Sequence, residues 1–216
     1  MLPRRPPFRP AGDTYAPPAV RPLLLFRCLL ALPLAARQRT TFTPGGPWPD
    51  TDGNPIDAHG GTIIYVDSLR TYYWYGERYA EPRGAACYSS TDLYNWTFGG
   101  VAMEKGAIGI FERPKVIHDL ANDRYVLWFH YDGDRYSIAE LGVAVSDSPT
   151  GPFTLVDHYR PHGHESRDIG LYFAPDTRTA YIGYAADHVN RTVRMVELAD
   201  DYLRLTPTTS TSTPTA

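Results

Sequence analysis

Apolar and polar positions alternate in short runs through the middle of the chain, and the runs keep a fixed order. Residues 62–66 form a β-branched and aromatic run, and after a turn near residues 68–70 a second run covers 71–77. A third spans 85–90 and a short fourth lies within 91–98. The order returns at 116–117, 124–130, 141–147 and 150–154, with Asn122-Asp123 as the first turn. It returns again at 169–173, 179–184, 193–198 and 201–203, with Asp176-Thr177 in the matching place. Each unit reads strand, turn, strand, loop, strand, turn, short strand, with a period of about 55 residues. Four antiparallel strands at that spacing are the signature of propeller blades. No stretch carries a helical stripe. The expected fold is all-β, a propeller of three four-stranded blades over residues 48–205.

The flanks read differently. Residues 1–22 are rich in Pro and Arg, and a leucine-rich stretch follows from Leu23 to Ala36, interrupted by Arg27. It is too short to span a bilayer comfortably. A basic lead, a leucine-rich middle and a small-residue end read as a secretory signal. Residues 1–47 are therefore expected to be a signal-like, disordered extension on a secreted protein with no membrane span. Residues 206–216 are Ser, Thr, Pro and a final Ala, and are expected to be a disordered tail. A propeller closes by packing its last blade on its first, and the smallest have about four blades. Three units make an unfinished ring, with one face of the third blade expected to be uncovered.

Composition narrows the function. The 216 residues carry a net charge of -3, with no basic cluster interleaved with aromatics, so no nucleic-acid partner is expected. Sixteen Tyr and four Trp suit both sheet packing and stacking on sugar rings. The two cysteines, Cys28 and Cys87, suggest no disulfide, and no His/Cys spacing suggests a metal site. No cofactor is expected, and the chain is expected to be a monomer. Asn95-Trp96-Thr97 and Asn190-Arg191-Thr192 are glycosylation sequons for a protein secreted by a eukaryote.

Candidate chemistry sits at the ends of the runs. Glu112-Arg113-Pro114-Lys115 puts an acid, two cations and a rigid proline ahead of Val116. Glu77 and Asp168 hold corresponding places in the other units. The inner strands of a propeller all face one axis, so these acids should converge. Converging carboxylates raise one another's pKa, which is how glycosidases separate an acid from a base. Arg113 and Arg167 stand beside two of them and should keep those neighbours ionised.

Several motifs together resemble glycoside hydrolase family 43, a five-bladed propeller family. They are Asp52-Gly53-Asn54 with Ala58-His59-Gly60-Gly61, the run from Tyr72 to Glu77, the run from Cys87 to Leu93 with Asn95-Trp96, Glu112 to Val116, Gly142-Val143-Ala144 with Ser146-Asp147 and Gly151-Pro152-Phe153, and Ser166-Arg167-Asp168. The pattern is similar to the family's exo-β-1,3-galactanase (galactan 1,3-β-galactosidase) branch over residues 48–205. The resemblance implies a glycosidase acting on terminal β-1,3-linked galactose of galactan or arabinogalactan side chains, exo-acting and inverting. It implies that Asp168 tunes and orients the catalytic acid. Glu77, Glu112 and Tyr136 would hold the terminal galactose, with His59 and Arg113 beside them. Most of the family uses a blade-one aspartate as general base. Residues 58–61 contain no acid, a departure that the galactanase branch shares, relying instead on a late-blade glutamine. The family's general acid is a glutamate at the start of the fourth blade, which the three repeats do not include. Glu197 lies in an alternating strand and is no substitute. The chain is thus expected to be catalytically incomplete. Two other readings stay open: a non-catalytic galactose-binding or non-functional propeller fragment, and another family 43 glycosidase such as an arabinofuranosidase.

Overall fold

A computed structural model describes residues 38–187 and 190–210. The signal-like stretch with Cys28, and the tail beyond Ser210, lie outside the described residues. Among the described residues no helix is long and apolar enough to cross a membrane.

Among the described residues twelve strands form three antiparallel sheets, each in chain order. The first sheet holds β1 (His59–Val66), β2 (Thr71–Arg78), β3 (Gly84–Ser90) and β4 (Thr97–Glu104). The second holds β5 (Ile110–Asp119), β6 (Arg124–Asp132), β7 (Glu140–Ser146) and β8 (Thr154–Tyr159). The third holds β9 (Ile169–Ala174), β10 (Thr179–Ala186), β11 (Thr192–Leu198) and β12 (Leu205–Ser210). The innermost strand β5 packs against both β1 and β9, so these are three successive propeller blades with their inner strands side by side. The expected fold is what the chain adopts.

Alternation along the strands explains the stacking. On β6, Leu127 and Phe129 face the first blade and pack with Tyr75, Cys87 and Met103. Val126 and Trp128, one residue out of step, face the third blade and pack with Ile182, Tyr184 and Val196. Successive side chains on a strand point to opposite faces, so a middle blade with two buried faces has no polar face. All four of these β6 side chains are fully buried. The indole of Trp128 also donates to the Tyr202 carbonyl at 2.9 Å, pinning the third blade to the second. The far face of the first blade carries its own cluster, with Tyr88 and Trp96 packed against Trp48 and Trp74. The far face of the third blade exposes Tyr172, Val193 and Met195.

Three boundaries differ from expectation. The fourth strand of every blade begins later than the alternation suggested. In the first blade, residues 91–95 form a turn around Asp92, whose Oδ1 accepts from the Tyr94 and Asn95 amides at 2.8 Å each, and pairing resumes only at Thr97. Short polar side chains that bond their own backbone favour such turns over strands.

The Ser/Thr/Pro tail is not wholly apart from the fold. Its first part is β12, which pairs with β11 through Leu198↔Leu205 and Met195↔Ser210. An uncovered β11 would leave a row of unpaired backbone groups, and threonines suit a strand. Pro207 is tolerated because β12 is an edge strand.

The extension also docks earlier than residue 48. The Arg39 amide and carbonyl exchange 2.8 Å bonds with the Asn95 side chain, and the Phe42 ring packs on Trp48 and Tyr94. Covering Trp48 gives this segment an apolar reason to be ordered.

Candidate active site

Two backbone irregularities shape one end of the propeller axis. On β1, His59 pairs with Glu77 and Thr62 with Tyr75, so Gly60-Gly61 contains one residue too many. On β5, Glu112 pairs with His130 and Lys115 with Trp128, so Arg113-Pro114 does the same. Each is a bulge, a device that re-aims side chains at the rim of a sheet. Pro114 has no N–H to leave unpaired, and Arg113 takes the left-handed conformation at φ 56°. Gly61 is required by contact, since a Cβ there would lie 1.6 Å from the Tyr75 carbonyl oxygen. A Cβ on Gly60 would lie 2.8 Å from the Arg113 guanidinium. Gly60 thus makes room for a cation from the next blade.

These bulges border a depression of about 510 Å³ lined by His59, Glu77, Tyr79, Glu112, Arg113, His130, Tyr136, Arg167, Asp168 and Asn190. Every residue singled out from the sequence, His59, Glu77, Glu112, Arg113, Tyr136 and Asp168, is in it. A second, more apolar depression lies on the inner strands between Ile63, Val116 and Leu171, and holds none of them.

The carboxylates are differentiated by their partners. The Tyr136 hydroxyl donates to Glu112 Oε1 at 2.7 Å, and His130 Nδ1 lies 3.2 Å from Oε2. The His130 hydrogen bond, with help from Tyr136 and Arg113, holds the Glu112 pKa below the usual carboxylate range despite burial. Glu77 goes the other way: burial first, and then the Glu112 charge, push its pKa up against His59 and Arg113. His59 Nδ1 is 3.7 Å from Glu77 and 3.3 Å from the Tyr79 hydroxyl. The bond to Glu112 carries the Tyr136 phenol up to about 12, so Tyr136 stays a donor.

Arg113 reaches across the blade junction, its Nε donating to Asp168 Oδ1 at 2.6 Å. Asp168 is fixed just ahead of β9, where its carbonyl accepts from the Ala185 amide at 2.9 Å. Here the structure corrects an expectation. Arg167 does not hold its neighbour Asp168; it pairs with Glu165 at 2.7 Å, and the cation on Asp168 comes from the second blade. Alternation explains it, because adjacent residues in extended chain point apart.

Sequence reasoning passed over two contributors, His130 and Tyr79, and placed Lys115 in the Glu112–Lys115 cluster without a partner. His130 ends the run 124–130 and sits opposite Glu112 in register, a pairing that only the sheet reveals. Tyr79 follows the Glu77 strand. Lys115 lies beneath the site, its Nζ donating to the Gly60 carbonyl at 2.6 Å and the Gly61 carbonyl at 3.1 Å. Among the described residues no cluster of His, Cys, Asp and Glu is arranged to hold a metal ion.

Acids, a tyrosine and a cation delivered by successive blades thus meet in one axial depression of a β-propeller. No protein-family model matches the chain, and no curated protein sequence does. Solved structures do. A family 43 β-1,3-galactosidase is 38% identical with a TM-score of 0.73, over 80% of this chain and 39% of that one. An exo-β-1,3-galactanase from Phanerochaete chrysosporium, solved with galactose, is 38% identical with a TM-score of 0.69, over 75% and 40%. An exo-β-1,3-galactanase from Clostridium thermocellum is 31% identical with a TM-score of 0.68, over 76% and 39%. The solved structures that the chain is similar to are exo-β-1,3-galactanases and β-1,3-galactosidases of glycoside hydrolase family 43. The chain spans about two fifths of the length of these three structures.

Proposed function

We propose that these three blades are the sugar-gripping part of an exo-acting, inverting glycosidase for terminal β-1,3-linked galactose, set on galactan or arabinogalactan side chains outside the cell. One observation carries the reading: Glu77, Glu112, Tyr136 and Asp168, drawn from all three blades, meet in one polar depression. Glu112 is an ionised acceptor for sugar hydroxyls, the Tyr136 oxygen, its proton given to Glu112, accepts as well, and the Arg113 N–H groups not used on Asp168 supply fixed donors. Such fixed dipoles need no rearrangement when a sugar arrives.

The proton needed by the leaving oxygen is a separate matter. Glu112 is held ionised, and Asp168 is bonded to Arg113, so each serves as an acceptor or an orienter. Glu77 is the described pocket carboxyl pushed toward its protonated form, but His59 and Tyr79 hold it to the wall. We therefore assign the donor to a group beyond the described residues and read the three blades as catalytically incomplete by themselves. A missing general acid lowers the rate by about 10²–10⁴-fold. Asp168 would orient and tune that donor.

The test is a galactose titration of the purified chain followed by backbone-amide NMR, with glucose as the control. Shifts concentrated at Glu77, Glu112, Tyr136 and Asp168, lost in Glu112→Ala, are expected. Equal response to both sugars, or shifts elsewhere, would refute the assignment.

A further inference from the structure

Beneath the depression lies a closed circuit of side chains. His130 is fully buried on β6, with its ring between two carboxylates: Glu112 Oε2 at 3.2 Å from Nδ1 and Asp132 Oδ2 at 2.9 Å from Nε2. Asp132 is also fully buried, and its Oδ1 accepts from the Gly133 amide at 2.8 Å and the Ile138 amide at 2.5 Å. Those amides bracket the loop that carries Tyr136. The Tyr136 hydroxyl returns to Glu112 Oε1, and its ring lies 5.9 Å from that of His130 at 24° between planes. Each member is thus held by the next, from Asp132 to His130 to Glu112 to Tyr136 and back through the loop.

A loop needing only an anchor would be served by Asp132 alone. Buried charge is costly unless fully partnered, so a second buried ionisable group requires a reason. The His130 ring supplies one, because its far nitrogen aims at the carboxylate facing the cavity. An ionised carboxylate only accepts, so the ring can satisfy both neighbours only by donating from both nitrogens. Both Glu112 oxygens are then fixed, one by the ring and one by the phenol, with their remaining lone pairs open to the depression.

We infer that the buried Asp132–His130 pair is a positioning device, holding the Glu112 carboxylate and the Tyr136 loop as one preformed grip for the terminal sugar. The inference rests on the galactose reading above. Preorganised groups lose less on binding than groups that must be ordered by the ligand. The other groups facing Glu112 are Glu77 on β2, Tyr79 after it, His59 on β1 and Arg113 on β5, with Asp168 tied to Arg113. His130 differs from them in touching both the acid and the anchor of its loop.

The experiment compares His130→Gln with His130→Asn. Gln places its amide near the Nε2 position and keeps Asp132 company while releasing Glu112. Asn places it near Nδ1 and keeps a donor on Glu112. With both chains folded by their amide spectra, H130Q is expected to bind galactose about tenfold or more weakly. It should also shift the carboxyl-carbon titration of Glu112 to higher pH. H130N should lie closer to wild type on both readouts. A folded H130Q with unchanged affinity and unchanged Glu112 titration overturns the inference, as do indistinguishable variants. If the wild-type chain binds no galactose, the functional reading fails, and the Glu112 titration alone decides the positioning role. If H130Q does not fold, the imidazole nitrogens of the wild-type chain decide: a protonated Nδ1 bonded to Glu112 is expected, and an unprotonated Nδ1 overturns the inference.

Discussion

Replacing Lys115 by Met isolates the energetics of the cation beneath the site. The ammonium lies under the two bulges and joins β5 to β1 through the Gly60 and Gly61 carbonyls. Burial, reinforced by Arg113, lowers its pKa from 10.5 to about 8. At about 1.4 kcal/mol per tenfold, that gap is a penalty of about 3 kcal/mol on the protonated form. Against it stand two charge-assisted bonds of roughly 1.5–3 kcal/mol each. Lys115→Met removes both sides, so stability at neutral pH should fall by no more than about 3 kcal/mol. The pH dependence is the sharper reading. Because the folded pKa lies below the unfolded one, the penalty is complete below about 8 and fades as pH rises toward 10.5. From about pH 7 to about pH 10, the lysine chain should gain about 2 kcal/mol relative to the methionine chain. Burial raises Cys87 to about 12 and raises Tyr75, which destabilises both chains as pH climbs past the ordinary thiol and phenol values. Those contributions cancel in the difference. Urea unfolding of both proteins at a series of pH values measures it. Parallel stability profiles would refute the placement of a charged, desolvated Lys115.

Further substitutions probe the blades and the grip. Trp128→Ala should cost about 3–5 kcal/mol in urea unfolding, because it empties the junction of the second and third blades. Gly61→Ala drives a methyl into the Tyr75 carbonyl and should lower the unfolding midpoint and abolish galactose shifts at His59 and Glu77 together. Tyr136→Phe removes the 2.7 Å donor to Glu112 from a half-exposed ring. Its stability should change by less than about 0.5 kcal/mol, while galactose affinity falls about tenfold by titration.

The period of the alternation made the blades legible, since a middle blade buried on both faces leaves an unmistakable run such as residues 125–129. Glu112 and Asp168 were legible too, because the ends of inner strands must converge on the axis, whereas Glu77 reaches the site from the second strand β2, opposite His59, in the place that His130 holds in the next blade. What pairs with each acid was not. The bulges at Gly60-Gly61 and Arg113-Pro114 shift register by one residue, and a shift of one decides which cation meets which carboxylate. That is why Arg113 rather than Arg167 holds Asp168, and why His130, polar but fully buried, looked like the end of an ordinary strand. The edge strand β12 was hidden for another reason. Its Ser/Thr/Pro composition marks a tail, while its pairing is dictated by the open edge of β11.

The division of labour between grip and proton donor is tested most directly by hydrolysis of β-1,3-galactobiose. The three blades alone would be assayed beside the same blades joined to the fourth and fifth blades of a family 43 galactanase. Galactose release by the joined protein, and none above the blank by the three blades, is the predicted result. Comparable turnover by both would contradict it. The proton donor would then lie within the chain, with Glu77, the pocket carboxyl already pushed toward protonation, the first residue to replace.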